Sequence, residues 1–107
     1  MRYVVRMSGD AERDTEDILR YIANTDSASA ADHVLGQIEK LVLSLDELPD
    51  RGNVPKELAA LGIRDYRELH FKPYRVIYRV EAETVTVYLV ADGRRDMRSL
   101  LERRLLR

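Results

Sequence analysis

Residues 74–96 read YRVIYRV-EAE-TVTVYLVA-DG-RRD, and no other stretch constrains the fold as tightly. Two runs rich in β-branched and aromatic residues alternate apolar with polar side chains. Three turn residues separate them, and a tight Asp92-Gly93 follows the second. Period-two alternation of this composition predicts a pair of strands. Arg75 and Arg79, four apart and flanking Ile77, then fall on one face of the first strand, where a purely structural sheet gains little from guanidinium groups. The remainder of the chain reads as support for this pair.

From the N-terminus, residues 2–7 have the β-propensity of a short strand. Ser8 is a good N-cap, and Asp10 and Glu12 sit where a helix macrodipole favours negative charge. Ala11, Thr15, Ile18, Leu19 and Ile22 recur at helical spacing to about Ala23. Asn24-Thr25-Asp26-Ser27 breaks that helix and can cap another, whose stripe is Ala31, Val34, Leu35, Ile38, Leu41, Val42 and Leu45. Two helices so joined predict an antiparallel helical hairpin. Leu48-Pro49 ends it, residues 50–55 form a loop, and residues 56–62 have room for one helical turn. Ile63–Phe71 reads as a strand preceding the pair, which makes a three-stranded antiparallel meander. Val76, Tyr78 and Val80 should face the helices, leaving Arg75, Ile77 and Arg79 on the opposite face. Met97, Leu100, Leu101 and Leu105 then mark a basic helix over residues 94–107 that closes over the sheet or docks on a partner. The predicted order is β-α-α-β-β-β-α, an α+β single domain over residues 1–107 with a helical hairpin packed on a small antiparallel sheet.

Length and composition exclude several classes. The 107 residues suffice for one modest core, and no apolar run reaches the ~18 residues a membrane span needs. Residues 1–8 are too short and polar for a signal peptide. Cysteine is absent, which excludes disulfides and makes the cytoplasm the default compartment. His33 and His70 lie in different elements, so no metal or other cofactor is expected. The net charge of −1 conceals a dipole: residues 1–50 carry 5 basic and 11 acidic side chains, and residues 94–107 carry 6 arginines against 2 acids. A basic C-terminal end suits a polyanion or an acidic peptide.

Arg67, Arg75, Arg79, Arg94 and Arg95 could converge near an open sheet face, where arginine forks suit phosphate or carboxylate. Equally, they could be strand residues paired with Glu68 or Asp96. His70, near the turn before Arg75, has the unperturbed pKa of a general acid or base. His33, at the edge of a helical stripe, reads as a surface histidine. Tyr66, Tyr74 and Tyr78 read as core or edge aromatics rather than stacking platforms. No Gly-rich phosphate loop and no Ser/His/Asp order is present, so NTPase and common hydrolase chemistry are excluded.

Taken together, several segments resemble the RelE/ParE superfamily of toxins from type II toxin–antitoxin modules. They are the short strand ending in Ser8; Ala11 and Asp14; Tyr21-Ile22-Ala23; the alanine-rich Ala28–Ala31; Leu48-Pro49 with Arg51-Gly52; Tyr74–Val80; and Val90–Asp96. YRVIYRV and the terminal RRD are the most specific. The resemblance implies growth arrest by one of two mechanisms, neutralised by a cognate antitoxin. RelE-like members cut mRNA on the ribosome, where Arg75 and Arg95 would stabilise phosphate charge. The tyrosine expected for proton transfer falls at Leu100 or Leu101, and Asp92 stands where a histidine is frequent, so His70 would have to substitute. ParE-like members inhibit DNA gyrase, and the long hairpin and missing acid/base set favour that branch. A third alternative is an inactive member that only binds antitoxin. The antitoxin's C-terminal segment would wrap the toxin and pair acidic residues with its arginines. The implied target or antitoxin contacts are Arg67, Arg75, Ile77, Arg79, Arg94, Arg95, Arg98, Leu101 and Leu105. Operator DNA would be bound only by the toxin–antitoxin complex.

Overall fold

The computed structural model describes residues 2–106. Strand β1 (Val4–Met7) leads into helix α1 (Gly9–Thr25), and helix α2 (Ala28–Leu43) completes the hairpin. The caps are those the sequence offers: the Ser8 hydroxyl accepts from the Ala11 N–H at 3.1 Å and the Ser27 hydroxyl from the Ala30 N–H at 3.0 Å. Helix α1 runs past Ala23 because Thr25 still fits its last turn, its hydroxyl donating to the Tyr21 carbonyl at 2.7 Å. Two 3-10 turns, Ser44–Asp46 and Pro49–Arg51, precede the one-turn helix α3 (Lys56–Ala59). Strands β2 (Tyr66–Phe71), β3 (Tyr74–Glu81) and β4 (Thr84–Asp92) follow, and helix α4 (Met97–Leu105) ends the described chain.

The predicted meander is present, with β2, β3 and β4 antiparallel. The sheet is not antiparallel throughout. β1 pairs with β4 in parallel, Val4 beside Thr84 through Met7 beside Val87, so the strand order is β1-β4-β3-β2 and the sheet is mixed. A strand that is buried along most of its length needs a neighbour on each side, and the first strand supplies the missing one for β4. The register of β3 against β4 also slips: Ile77 faces Leu89 while Tyr78 faces Val87, leaving Tyr88 as an extra residue. This bulge inverts the side-chain parity of β4. Before it, Val85 and Val87 face the helical hairpin; after it, Val90 does, and Leu89 and Ala91 turn to the other side.

Both faces of the sheet are therefore apolar. On the hairpin side, Val76, Tyr78, Val85, Val87 and Val90 pack with Ala11, Ile38, Val42 and Leu45. On the other, Ile77, Leu89 and Ala91 pack under Leu58 of α3 and Met97, Leu100 and Leu101 of α4. The parity expected for β3 holds, but the face expected to be open is covered. Ile77 and Leu101, expected as partner contacts, are fully buried because the short helices need them as core. α4 closes over the sheet.

Tyr78 ties the loop after α2 to the centre of the domain. Its hydroxyl donates to the Pro49 carbonyl at 2.6 Å and accepts from the Gly52 N–H at 3.2 Å, so the phenol has a partner although its ring is fully buried. Burial raises its pKa above the usual tyrosine value.

Candidate functional site

The lower half of β3, the end of β2 and the start of α3 meet at Arg75. The β2–β3 register puts His70 opposite Arg75 and Glu68 two pairs further on, opposite Ile77, so Glu68, His70 and Arg75 share one face. α3 brings Glu57 onto the same point. Arg75 Nη1 and Nη2 donate to the two Glu57 carboxylate oxygens at 2.9 and 2.8 Å, a bidentate fork, and Nε donates to Glu68 Oε1 at 2.6 Å. Glu68 Oε2 accepts from Asn53 Nδ2 at 2.8 Å, and His70 Nε2 stands 3.5 Å from the same oxygen. Gly93 closes the cluster from above. A Cβ there would lie 2.8 Å from Arg75 Cδ and 3.1 Å from the Pro73 carbonyl oxygen, so only glycine lets the Asp92-Gly93 turn cross the arginine stem.

This arginine is not presented to solvent. Arg75 is 9% exposed, Glu68 is more hidden still, and Glu57 is nearly as hidden as Arg75. The hydrogen bonds from Arg75 hold the Glu57 carboxyl below the usual glutamate range. The guanidinium in turn is pushed well above its ordinary value by Glu57 first and Glu68 second, against burial. One cation against two carboxylates leaves this cluster with a net charge of −1. A phosphate approaching Arg75 would find all three of its nitrogens already bonded to carboxylates.

Around the cluster opens a cleft of about 500 Å³ lined by His70, Lys72, Pro73, Tyr74, Arg75, Gly93 and Arg94. Burial and the nearby Asp92 raise the Tyr74 pKa, and its ring stacks on Phe71 at 6.3 Å between centroids. Arg94 is exposed and chelates Asp92, with Nη2 at 2.6 Å from Oδ2; this pairing depresses the Asp92 carboxyl. Arg95 is exposed too, and its backbone N–H donates to the Asp92 carbonyl at 3.2 Å while its side chain forms no ion pair among the described residues. Asp96, the other candidate acid, does not pair with it: both its oxygens cap α4 by accepting from Ser99.

The remaining predicted contacts disperse. Arg67 Nη1 donates to the Gly52 carbonyl at 2.8 Å. Arg79 lies at the far end of β3 between Asp65 and Glu81, its guanidinium 5.8 Å from the centre of the Tyr66 ring. Arg98 meets Glu102 one turn along α4 at 3.3 Å, and Leu105 is half-buried beside the second core. Arg75 and His70 come together with Arg94 nearby, whereas Arg67, Arg79 and Arg98 do not join them. Among the described residues no group of His, Asp and Glu side chains is spaced to hold a metal ion.

Glu57 and Asn53 were missed, and with them the neutralisation of Arg75. A weak signal existed for Glu68, which a short turn at Lys72-Pro73 brings near Arg75; a loop and one helical turn gave none for Glu57. A second missed pair seals the open half of β4. Beyond Met7, β1 no longer covers that strand. There Asp14 Oδ2 accepts the Val90 N–H at 3.1 Å, and Arg104 Nη2 donates to the Tyr88 carbonyl at 3.1 Å. Arg104 also grips both Asp14 oxygens at 2.9 and 3.0 Å, which raises its pKa. A side-chain ion pair thus completes the hydrogen bonding of a strand edge.

The sequence profile of the ParE toxin of the type II toxin–antitoxin system parDE matches residues 5–97. The chain belongs to this toxin family. Toxin ParE3 of Caulobacter vibrioides is 27% identical over 95 residues, spanning 89% of this chain and 87% of that one. The fold agrees with a chromosomal ParDE toxin–antitoxin system from P. aeruginosa (TM-score 0.71, 14% identity, 85% of this chain and 96% of that one). It also agrees with the RelBE2 toxin–antitoxin complex of Mycobacterium tuberculosis (TM-score 0.61, 20% identity, 86% and 92%). At those identities the likeness is one of fold. The protein is a type II toxin of the RelE/ParE superfamily, with its mixed sheet between a helical hairpin and two shorter helices.

Proposed function

We propose that this toxin arrests growth by binding and inhibiting DNA gyrase, and that it does not cleave RNA. The supporting observation is the state of Arg75. A ribonuclease of this superfamily needs that strand arginine to stabilise charge on the scissile phosphate, and donors aimed at developing charge are often the largest catalytic contribution. Here the guanidinium is forked onto Glu57, bonded to Glu68 and overlaid by Gly93. The proton-transfer positions add to this, since Leu100 and Leu101 are buried core residues and Asp92 is paired with Arg94. A binding poison needs neither a free phosphate donor nor a general acid.

The two solved structures named above are of toxin–antitoxin systems, and we carry that partner over to this chain. An acidic antitoxin tail fits the exposed Arg94, Arg95 and Arg98 better than the buried Arg75, Ile77 and Leu101. Operator DNA is then a ligand of the complex rather than of the toxin.

Two assays separate the mechanisms. Purified toxin should block gyrase supercoiling or trap gyrase-cleaved DNA. Primer extension on translated mRNA should show no new cuts. Cuts at the ribosomal A site, lost in an Arg75→Ala, Arg95→Ala variant, would overturn the gyrase reading.

A further inference from the structure

Leu48 holds the left-handed backbone conformation, φ 51° and ψ 52°, with its side chain 78% exposed. A bulky L-residue in that region is an outlier. Local packing does not ask for leucine, since the side chain fills no core and glycine or asparagine would make the same turn with less strain. The conformation is imposed by its surroundings. Arg51 Nη1 donates to the carbonyls of Ser44, Glu47 and Leu48 at 3.3, 2.9 and 3.3 Å, and Nη2 donates to Ser44 Oγ at 2.5 Å. The next residue, Pro49, is buried with its carbonyl held by Tyr78. Strain over-determined by a rigid surround concentrates where a side chain is presented for function.

Leu48 borders an open cleft of about 480 Å³ lined with Tyr3, Pro49, Asp50 and Arg51. The charge around it is mainly negative. Glu47 and Asp50 flank it, both well exposed. Arg2 is shared between Asp46 at 3.1 Å and Glu47 at 3.4 Å, and the Arg51 guanidinium is turned onto the loop's own carbonyls.

We infer that Leu48, with Glu47 and Asp50, is a preset docking knob for a protein surface offering an apolar socket rimmed by lysine or arginine. This rests on the reading of the chain as a growth-arresting toxin, and it assigns the knob to the arrest target rather than to the antitoxin. An acidic antitoxin tail is drawn to residues 94–107, with 6 arginines against 2 acids, whereas residues 1–50 carry 11 acids against 5 bases and repel it. The knob stands in the repelling half.

Leu48→Gly and Leu48→Asn test it, because both residues accept the left-handed conformation while deleting the knob. Both variants should keep Tm at or near that of the wild type. They should still co-purify with the antitoxin encoded beside the gene, yet lose growth arrest by about tenfold or more in plating, as expected for an interface anchor. Glu47→Lys with Asp50→Lys should weaken arrest in the same way. Arrest by Leu48→Gly at the wild-type level overturns the proposal. So does a marked drop in Tm, which would make the leucine structural, or loss of antitoxin capture with arrest intact, which would give the knob to the antitoxin. Supercoiling assays on the same preparations keep the two ideas apart: a wild type that arrests growth without inhibiting gyrase sinks the gyrase target and leaves the knob to be judged by plating.

Discussion

Arg75 and Arg95 stand out for the same reason in the sequence, and the fold gives them opposite fates. Arg75 is walled in by Glu57, Glu68 and Gly93, with all three of its nitrogens bonded to carboxylates. Arg95 follows the tight turn that closes over Arg75, and its side chain is exposed with no ion pair among the described residues. An arginine lodged between two elements of opposite charge becomes part of the core, whereas one just past a turn remains available to a partner. Identity of side chain therefore says little about anion binding until the nearest acids are placed.

The largest test of that contrast is Arg75→Ala. It leaves two nearly buried carboxylates facing each other without a cation, and breaking a buried pair from one side costs about 3–5 kcal/mol. Urea unfolding should show the midpoint fall sharply, and a variant that also carries Glu57→Gln and Glu68→Gln should recover part of the loss. A midpoint unchanged in Arg75→Ala would mean that the cluster is solvated and Arg75 is free, returning the ribonuclease reading to strength.

The sequence carried the meander, both caps and the strand parity, because those follow from local periodicity and short turns. It did not carry what depends on distant partners. The parallel pairing of Val4–Met7 with Thr84–Val87 joins residues 80 positions apart. The Tyr88 bulge is invisible in TVTVYLVA, which alternates well enough for an unbroken strand. The covering of the Arg75 face depends on α3, four residues with no periodicity to read. Arg75 itself was legible as a residue needing explanation, and its alternative pairing with Glu68 was visible; Glu57, which supplies the bidentate half, was not.

Arg104 supplies an intermediate case between the two arginines, since it is nearly as covered as Arg75 but hydrogen-bonds one carboxylate instead of two. Arg104→Ala removes two hydrogen bonds to Asp14 and one to the Tyr88 carbonyl while Asp14 keeps the Val90 N–H. Because a single carboxylate is left behind and it still accepts the Val90 N–H, the expected cost is about 1.5–3 kcal/mol, as for hydrogen bonds to charged groups, rather than the full buried-pair penalty. Amide exchange at Tyr88–Asp92 should accelerate, and unchanged protection there would show that the ion pair does not seal the strand edge.

Acid separates the enclosed cluster from the exposed turn more gently. The folded Glu57 carboxyl lies below its ordinary value, so the folded state binds its proton more weakly than the unfolded chain does. Its contribution to stability is complete above the unfolded glutamate pKa of roughly 4.3, and it is lost as pH falls through the lower folded value. Glu57→Gln should be less stable at neutral pH and should flatten that acid limb. A limb as steep as that of the wild type would place the titration elsewhere.

The smallest expected effect on stability is the most informative about partners. Arg95→Glu changes an exposed side chain with no ion pair among the described residues, on a turn already fixed by the Asp92 carbonyl and by the Arg94–Asp92 chelate. Tm should hold. If Arg95 belongs to the antitoxin surface, reversing its charge should weaken capture by an acidic antitoxin, and raised salt should weaken wild-type capture in the same direction, since exposed charges are screened within about 10 Å at 0.1 M. Arg75→Lys should not weaken capture in this way, because Arg75 is nearly buried and its nitrogens are held by Glu57 and Glu68. A capture defect in Arg75→Lys equal to that of Arg95→Glu would mean that the antitoxin opens the cluster and displaces Glu57 from Arg75, and the division between an enclosed and a presented arginine would then hold only for the free toxin.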